Sequence, residues 1–286
     1  STFPVDMALR KTITGTNENW ELVQRQIQGT SLRPNGDNIL DQGVGAALFD
    51  YMNGWNTQTT VNSDVYSWMW KRAPGFCDVV VYTGNSSTNT LNHNLGVAPE
   101  MIWYKARNGA VDWRVQANIT SSGYDRLVLN SPDAKINTET YGTAKELVSQ
   151  PTATQLVLGS GSGTNNSSSY NYIAYLFASL DGISKVGSYT GDGIYPRTID
   201  CGFSNGARFI MIKNATRLSG ARSWYVWDTE RGIVAGNDPH LALNTSAAQE
   251  TSFDDIDPHS SGFTIAQGGT QSNNNGDTFI FYAIAT

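Results

Sequence analysis

Apolar and polar positions alternate through one short segment that returns three times: Val65–Lys71 (VYSWMWK), Tyr172–Ala178 (YIAYLFA) and Thr278–Ile284 (TFIFYAI). Residues two apart on a β-strand share a face. One phase is apolar or aromatic in every copy: Tyr66, Trp68 and Trp70; Ile173, Tyr175 and Phe177; Phe279, Phe281 and Ala283. The other phase is mixed, from Ser67, Met69 and Lys71 to Ile280, Tyr282 and Ile284. The pattern predicts a strand with one aromatic face turned into a core. The copies start 107 and 106 residues apart. Gly75 returns as Gly182, and Tyr82-Thr83-Gly84 as Tyr189-Thr190-Gly191, which marks an internal repeat.

Other landmarks follow the same spacing. An apolar strand ending in lysine reads DMALRK at 6–11, EMIWYK at 100–105 and RFIMIK at 208–213, and each is followed by a polar turn and a tryptophan, Trp20, Trp113 or Trp224. Apolar runs joined by a short Gly- or Asn-bearing loop predict hairpins. A third landmark is assigned to NILDQ at 38–42, LVLNS at 127–131 and LALNT at 241–245. Polar tracts at 56–64, 159–169 and 267–277 precede the recurring strand and read as long hairpin loops. Helix is scarce, with a short candidate at Ser246–Phe253 and a turn near Ala144–Val148.

Seven or eight short strands per repeat predict an all-β fold of tandem antiparallel β-sandwiches, jelly-roll or lectin-like. The boundaries are 1–74 for a first repeat, 75–181 for a second and 182–286 for a third. Each repeat is expected to hold its own core, as beads in a row. The first lacks the exit strands that open the others (79–83 and 186–190) and the strands after them. Its missing strands are expected from an upstream segment or a neighbouring chain, because an unpaired edge invites aggregation.

The net charge of −6 argues against nucleic acid or an anionic membrane as the main partner. Only 15% of residues are charged, against roughly 25% in typical soluble domains, so the surface is polar but sparsely charged. No apolar stretch approaches the length of a membrane span. Cys77 and Cys201 occupy unmatched repeat positions, which predicts buried thiols in place of a disulfide framework.

Catalytic patterns are not found. His93, His240 and His259 have no metal-ligand spacing, His259 reads as a solvated loop residue, and the alternating Gly159, Gly161 and Gly163 break the dinucleotide pattern at Thr164. Asp254, Asp255 and Asp257 form the one carboxylate cluster. An acidic turn capping its own backbone is the first reading, Ca²⁺ ligation the second and glycoside cleavage the third. No cofactor is implied. For binding, loop aromatics beside amides suit sugars: Trp55 with Asn56, Tyr170 with Asn171, and Tyr195. Packing within the loop is the competing reading for each.

The run from VGSYTGDGIYPRTIDCGFSNGARFIMIKNA through GDTFIFYAIA resembles a tandem repeat of tailed-phage structural proteins, of the marine or cyanophage-like kind, found in tail fibres and other virion parts. HNLGVAPEMIWYKAR, WMWKRAPGF and DMALRKTITGTNENW resemble the same unit. The resemblance implies a non-enzymatic virion component, in a tail or surface appendage, with other virion proteins as partners, a homo-oligomer (a trimer) as its assembly and host surface glycan as a ligand. The alternatives are a capsid decoration or collar protein with structural contacts only, and a polysaccharide-degrading tail enzyme. The resemblance carries over no catalytic residue.

Overall fold

A computed structural model describes residues 2–15, 18–39, 48–56, 64–120, 123–139, 141–216, 222–267 and 269–286. The chain is all-β and antiparallel. In the first repeat, β1 (Met7–Thr12) lies between β2 (Glu21–Gln24) and β3 (Val65–Trp70). The second contributes β4 (Cys77–Thr83), β5 (Asn89–Asn92), β6 (Met101–Ala106), β7 (Arg114–Thr120), β8 (Gly123–Val128), β9 (Asn137–Glu139), β10 (Gln155–Leu158) and β11 (Asn171–Phe177). Its main sheet has the order β4-β11-β6-β7-β8-β9, with β5 and β10 paired outside it. The third contributes β12 (Ser184–Thr190), β13 (Arg197–Asp200), β14 (Ala207–Asn214), β15 (Trp224–Asp228), β16 (Leu241–Ala242), β17 (Ile256–His259), β18 (Gly262–Ile265) and β19 (Thr278–Ala285). Its main sheet runs β12-β19-β14-β15-β16 and its outer sheet β13-β18-β17.

Besides a small core of its own, each repeat contributes to a larger core shared by all three. The largest core joins Met7, Leu9 and Leu22 with Met101, Trp103 and Phe177 and with Phe209, Met211 and Tyr282. Three main sheets therefore pack their inner faces on one another, and this corrects the expectation of beads in a row. Smaller cores lie outside: Leu91, Leu156, Ala174 and Leu176 in the second lobe, Ile199, Phe263, Phe279 and Phe281 in the third, Val5, Ala8, Val23 and Phe49 in the first. A large side chain gains roughly 1.5–3 kcal/mol on full burial, so the shared core outweighs what one lobe could assemble alone.

The shared core also corrects the register. Tyr172 pairs with Tyr82 and Phe279 with Tyr189, so β19 matches β11 at a spacing of 107, not 106. A one-residue slip exchanges the two faces of a strand. Ile280, Tyr282 and Ile284 thus face the shared core beside Ile173, Tyr175 and Phe177, while Phe279, Phe281 and Ala283 face the third lobe's own core.

The lobes close on one another in cyclic order. Trp20 Nε1 donates to the Ala242 carbonyl at 3.0 Å, Trp224 Nε1 to Val128 at 3.0 Å and Trp113 Nε1 to Arg33 at 2.9 Å. First lobe thus clasps third, third clasps second and second clasps first. The lysine ending each hairpin strand repeats the circuit: Lys11 reaches the Ser246 carbonyl, Lys213 that of Pro132 and Lys105 that of Asp37. Head-to-tail contacts that return to their origin make a closed ring, here with approximate threefold symmetry inside one chain.

An asparagine seats each clasp. The backbone N–H groups of Trp20, Trp113 and Trp224 donate to Oδ1 of Asn35, Asn130 and Asn244 at 3.0, 2.9 and 2.9 Å. The third landmark of the first repeat is therefore Leu32–Gly36 and not 38–42, of which 40–42 lie outside the described residues. The candidate helix at Ser246–Phe253 is also absent. Its backbone instead bridges Glu250 to His240 and carries Gln249 N–H to the Ile13 carbonyl of the first lobe. Cys77 and Cys201 are buried thiols, each pushed up to about 12 mainly by burial.

Candidate functional site

The second and third lobes begin with a strand that the first lobe lacks among the described residues. A turn at Gly75 or Gly182, in the left-handed conformation that favours glycine (φ 76° and 70°), feeds β4 or β12 onto the recurring strand of its own lobe. The strand ends in Tyr-Thr-Gly for a steric reason. A Cβ on Gly84 would stand 2.2 Å from the Ser167 carbonyl, and one on Gly191 2.1 Å from that of Asn274. Tyr82 stacks on Tyr172 at 5.3 Å and Tyr189 on Phe279 at 5.1 Å. Val79 and Val186 point into the shared core.

No described strand pairs with the far edge of β3. In its place lies a groove of 540 Å³, running along β3 and walled by Arg208, Phe209, Asp228, Glu230 and Ile284 of the third lobe and by Thr2 and Phe3 near the start of the chain. The recurring strand is buried from its second residue in β11 and β19, whereas in β3 only Trp70 is buried. Tyr66 and Trp68 stand half-exposed along the groove. Beneath them the Trp68 indole donates to Asp228 Oδ2, which also holds Arg231, whose guanidinium lies 5.4 Å from the Trp68 ring. Burial holds the Arg231 guanidinium below its usual value, against the opposing pull of Asp228.

In the second and third lobes the loop before the recurring strand packs on the loop that follows the exit strand, and together they form the loop end of each lobe. The described loops there are tightly bound. Asn165, fully buried, accepts from the Asn85 N–H at 2.9 Å and donates to Asn85 Oδ1 at 3.0 Å. Asn273, also buried, makes the same pair of contacts with Asp192, at 3.1 and 2.9 Å. Hydrogen bonds hold the Asp192 carboxyl below the usual carboxylate range.

The candidate sugar-binding residues fall on three lobes. Trp55 stacks on Phe49 at 6.0 Å and donates to Ser67 Oγ, and Asn56 pairs its backbone with Leu48. Tyr170 packs edge-on against Tyr172, and Asn171 begins β11 with its N–H on Asn108 Oδ1. Tyr195 lies half-buried against the third lobe's outer core. Each is anchored in its own lobe.

The aspartate cluster is divided. Asp255 is buried and faces His240 Nδ1 at 3.1 Å, Asp254 accepts from Gln267, and Asp257 lies in β17. Asp238, which sequence reading passed over, accepts the N–H groups of Asp255 and Ile256 at 2.9 and 2.7 Å and is raised to about 6, chiefly by burial. Among the described residues no three His, Cys, Asp or Glu side chains are placed to share a metal ion. His259 lies in β17, half-buried, with Nδ1 near the Ser261 hydroxyl, so it is not a solvated loop residue. His93 is buried, which lowers its pKa. No described helix is long and apolar enough to cross a membrane.

A family model described as a domain of unknown function, DUF7483, matches residues 46–286. No curated protein and no solved structure matches the chain.

Proposed function

The chain belongs to the DUF7483 family, and from that premise we propose that it is a non-catalytic structural component of a phage tail fibre or similar virion appendage, with its loop end turned toward host-surface glycans. The observation that carries this reading is that the buried Asn165 and Asn273 pin the loops before the recurring strand, in the second and third lobes, onto a scaffold closed by contacts among three lobes. Recognition favours loops held on such a scaffold. Aromatic faces beside amide groups, as at Tyr170 with Asn171 and at Trp55 with Asn56, suit sugar rings. A polar surface carrying few charges suits neutral glycans. In this setting the partners are other virion proteins, further copies of the chain in a symmetric oligomer, and the glycan.

Adsorption of labelled chain to host cells and to a glycan array tests the reading. A variant carrying Tyr170→Ala, Asn171→Ala and Tyr195→Ala should keep a cooperative melt and bind about tenfold more weakly or worse. Unchanged adsorption by a folded variant removes the glycan role from these loops. The open edge of β3 favours a second reading, a decoration or collar protein held only by other virion subunits. Antibody labelling of intact particles separates the two by position.

A further inference from the structure

We propose that the groove along β3 is the seat of a β-strand donated by another polypeptide, carrying the pattern of β4 and β12. The chain itself supplies the template. In both other lobes the equivalent edge is covered by an antiparallel strand with a valine facing the shared core and a tyrosine over the start of the recurring strand. Groove and template coincide in detail. The Asp64 and Trp70 carbonyls of β3 accept from β1-side N–H groups, so the alternate residues Val65, Ser67 and Met69 direct their N–H and C=O to the open edge. Their counterparts Tyr172, Ala174 and Leu176 face β4. Trp70, Phe209 and Ile284 in the groove wall are continuous with the shared core, where Val79 and Val186 lodge in the other lobes.

No strand among the described residues is free to fill this edge. Tyr-Thr-Gly occurs twice in the sequence, at 82–84 and 189–191, and both copies are seated in their own lobes. A donated strand adds main-chain hydrogen bonds for affinity and one side-chain pocket for selectivity. It also covers an edge that otherwise invites uncontrolled pairing. The inference concerns this edge alone and stands apart from what the loop end binds.

The test uses the full chain and a synthetic peptide of residues 184–192 (SKVGSYTGD), followed by titration calorimetry and hydrogen exchange. One peptide should bind per chain and protect the amides of Val65, Ser67 and Met69. Gly187 and Tyr189 direct their N–H groups to the partner strand. A peptide N-methylated at Gly187 should therefore bind about tenfold more weakly or worse. A Val186→Lys peptide should do the same by failing to fill the apolar pocket. Absence of binding overturns the proposal. So does equal binding by the methylated peptide, which would mean adhesion without strand pairing. Concentration-dependent dimerisation that protects the same three amides would assign the groove to a second copy and overturn it too.

Discussion

The Trp68 indole N–H donates to Asp228 Oδ2 at 3.0 Å across the junction between the first and third lobes. The carboxylate also binds Arg231 Nε at 2.5 Å, and both charged side chains are almost fully buried. Breaking a buried pair leaves one charge uncompensated, at roughly 3–5 kcal/mol. Asp228→Ala should therefore destabilise the chain by about that much in urea unfolding. Trp68→Phe, which removes the donor and leaves a smaller aromatic ring, should cost at least about 1 kcal/mol. A double-mutant cycle should give a coupling above about 0.5 kcal/mol. Strict additivity would mean that the contact does not fasten the lobes.

The same place in the next lobe shows what happens when a partner is lacking. Trp68, Tyr175 and Tyr282 are equivalent, as are Gln24, Ala117 and Asp228. Tyr175 donates its hydroxyl to Gln24 Oε1 of the first lobe. Tyr282 would meet Ala117, which offers no acceptor. Its buried hydroxyl makes no well-formed hydrogen bond, and the Trp70 indole N–H that interacts with it is likewise unsatisfied. An orphaned buried polar group costs roughly 1–3 kcal/mol. Tyr175→Phe should therefore destabilise by about that amount through the stranded glutamine, while Tyr282→Phe should be neutral or stabilising. Equal losses in thermal or urea unfolding would show that the two hydroxyls sit in like surroundings.

The strands were readable because each is a short apolar run that recurs at a fixed spacing and lies beside a marked residue, such as Lys105 or Gly84. The all-β fold followed from them. The ring was not readable. Alternation shows that a face is apolar but not what covers it, and both phases of β11 and β19 are apolar enough to be buried. The slip of one residue at Thr278 came from that ambiguity; aligning Tyr175 with Tyr282 would have removed it. A better signal lay in Asn35, Asn130 and Asn244, each the fourth residue of a five-residue run (LRPNG, LVLNS, LALNT) and each followed directly by a glycine or small polar residue, Gly36, Ser131 or Thr245. Their hydrogen bonds to Trp20, Trp113 and Trp224 define the clasp. The groove along β3 was foreshadowed by the missing exit strand, but its walls come from Phe209 and Ile284, 141 and 216 residues beyond Trp68 in sequence, beyond the reach of local pattern.

Asn165 looks like a loop-tip residue in GSGSGTNNSSS, yet it is fully buried and donates to Asn85, Ser87 and Gly159. Ser168, three positions on, is exposed. Asn165→Ala should therefore cost at least about 2 kcal/mol by stranding several buried partners, whereas Ser168→Ala should stay within about 0.5 kcal/mol. Asn273→Ala should match Asn165→Ala, since Asn273 binds Asp192 and the Ile194 carbonyl in the same way. Hydrogen exchange should show the loss concentrated at the loop end. If Asn165→Ala and Ser168→Ala prove alike, the tract is held by something other than its asparagine.

Three buried lysines set how stability varies above neutral pH. Burial lowers Lys11 and Lys105 to about 8 and Lys213 to about 7, from an ordinary 10.5. Between the lowered value and the ordinary one, the unfolded chain binds a proton that the folded chain does not. Stability therefore rises with pH across that window. The tyrosines act in the opposite sense. Tyr82, Tyr104, Tyr175, Tyr189 and Tyr282 are pushed well above 10 by burial. Above about pH 10 the unfolded chain loses protons that the folded chain keeps, and stability falls. Thermal melts should show Tm climbing from pH 7 to about 9 and declining beyond about 10. Lys213→Met, although less stable throughout, should flatten the climb between pH 7 and 9. A Tm that is level or falling over that interval in the parent chain would show that the lysines stay charged on folding.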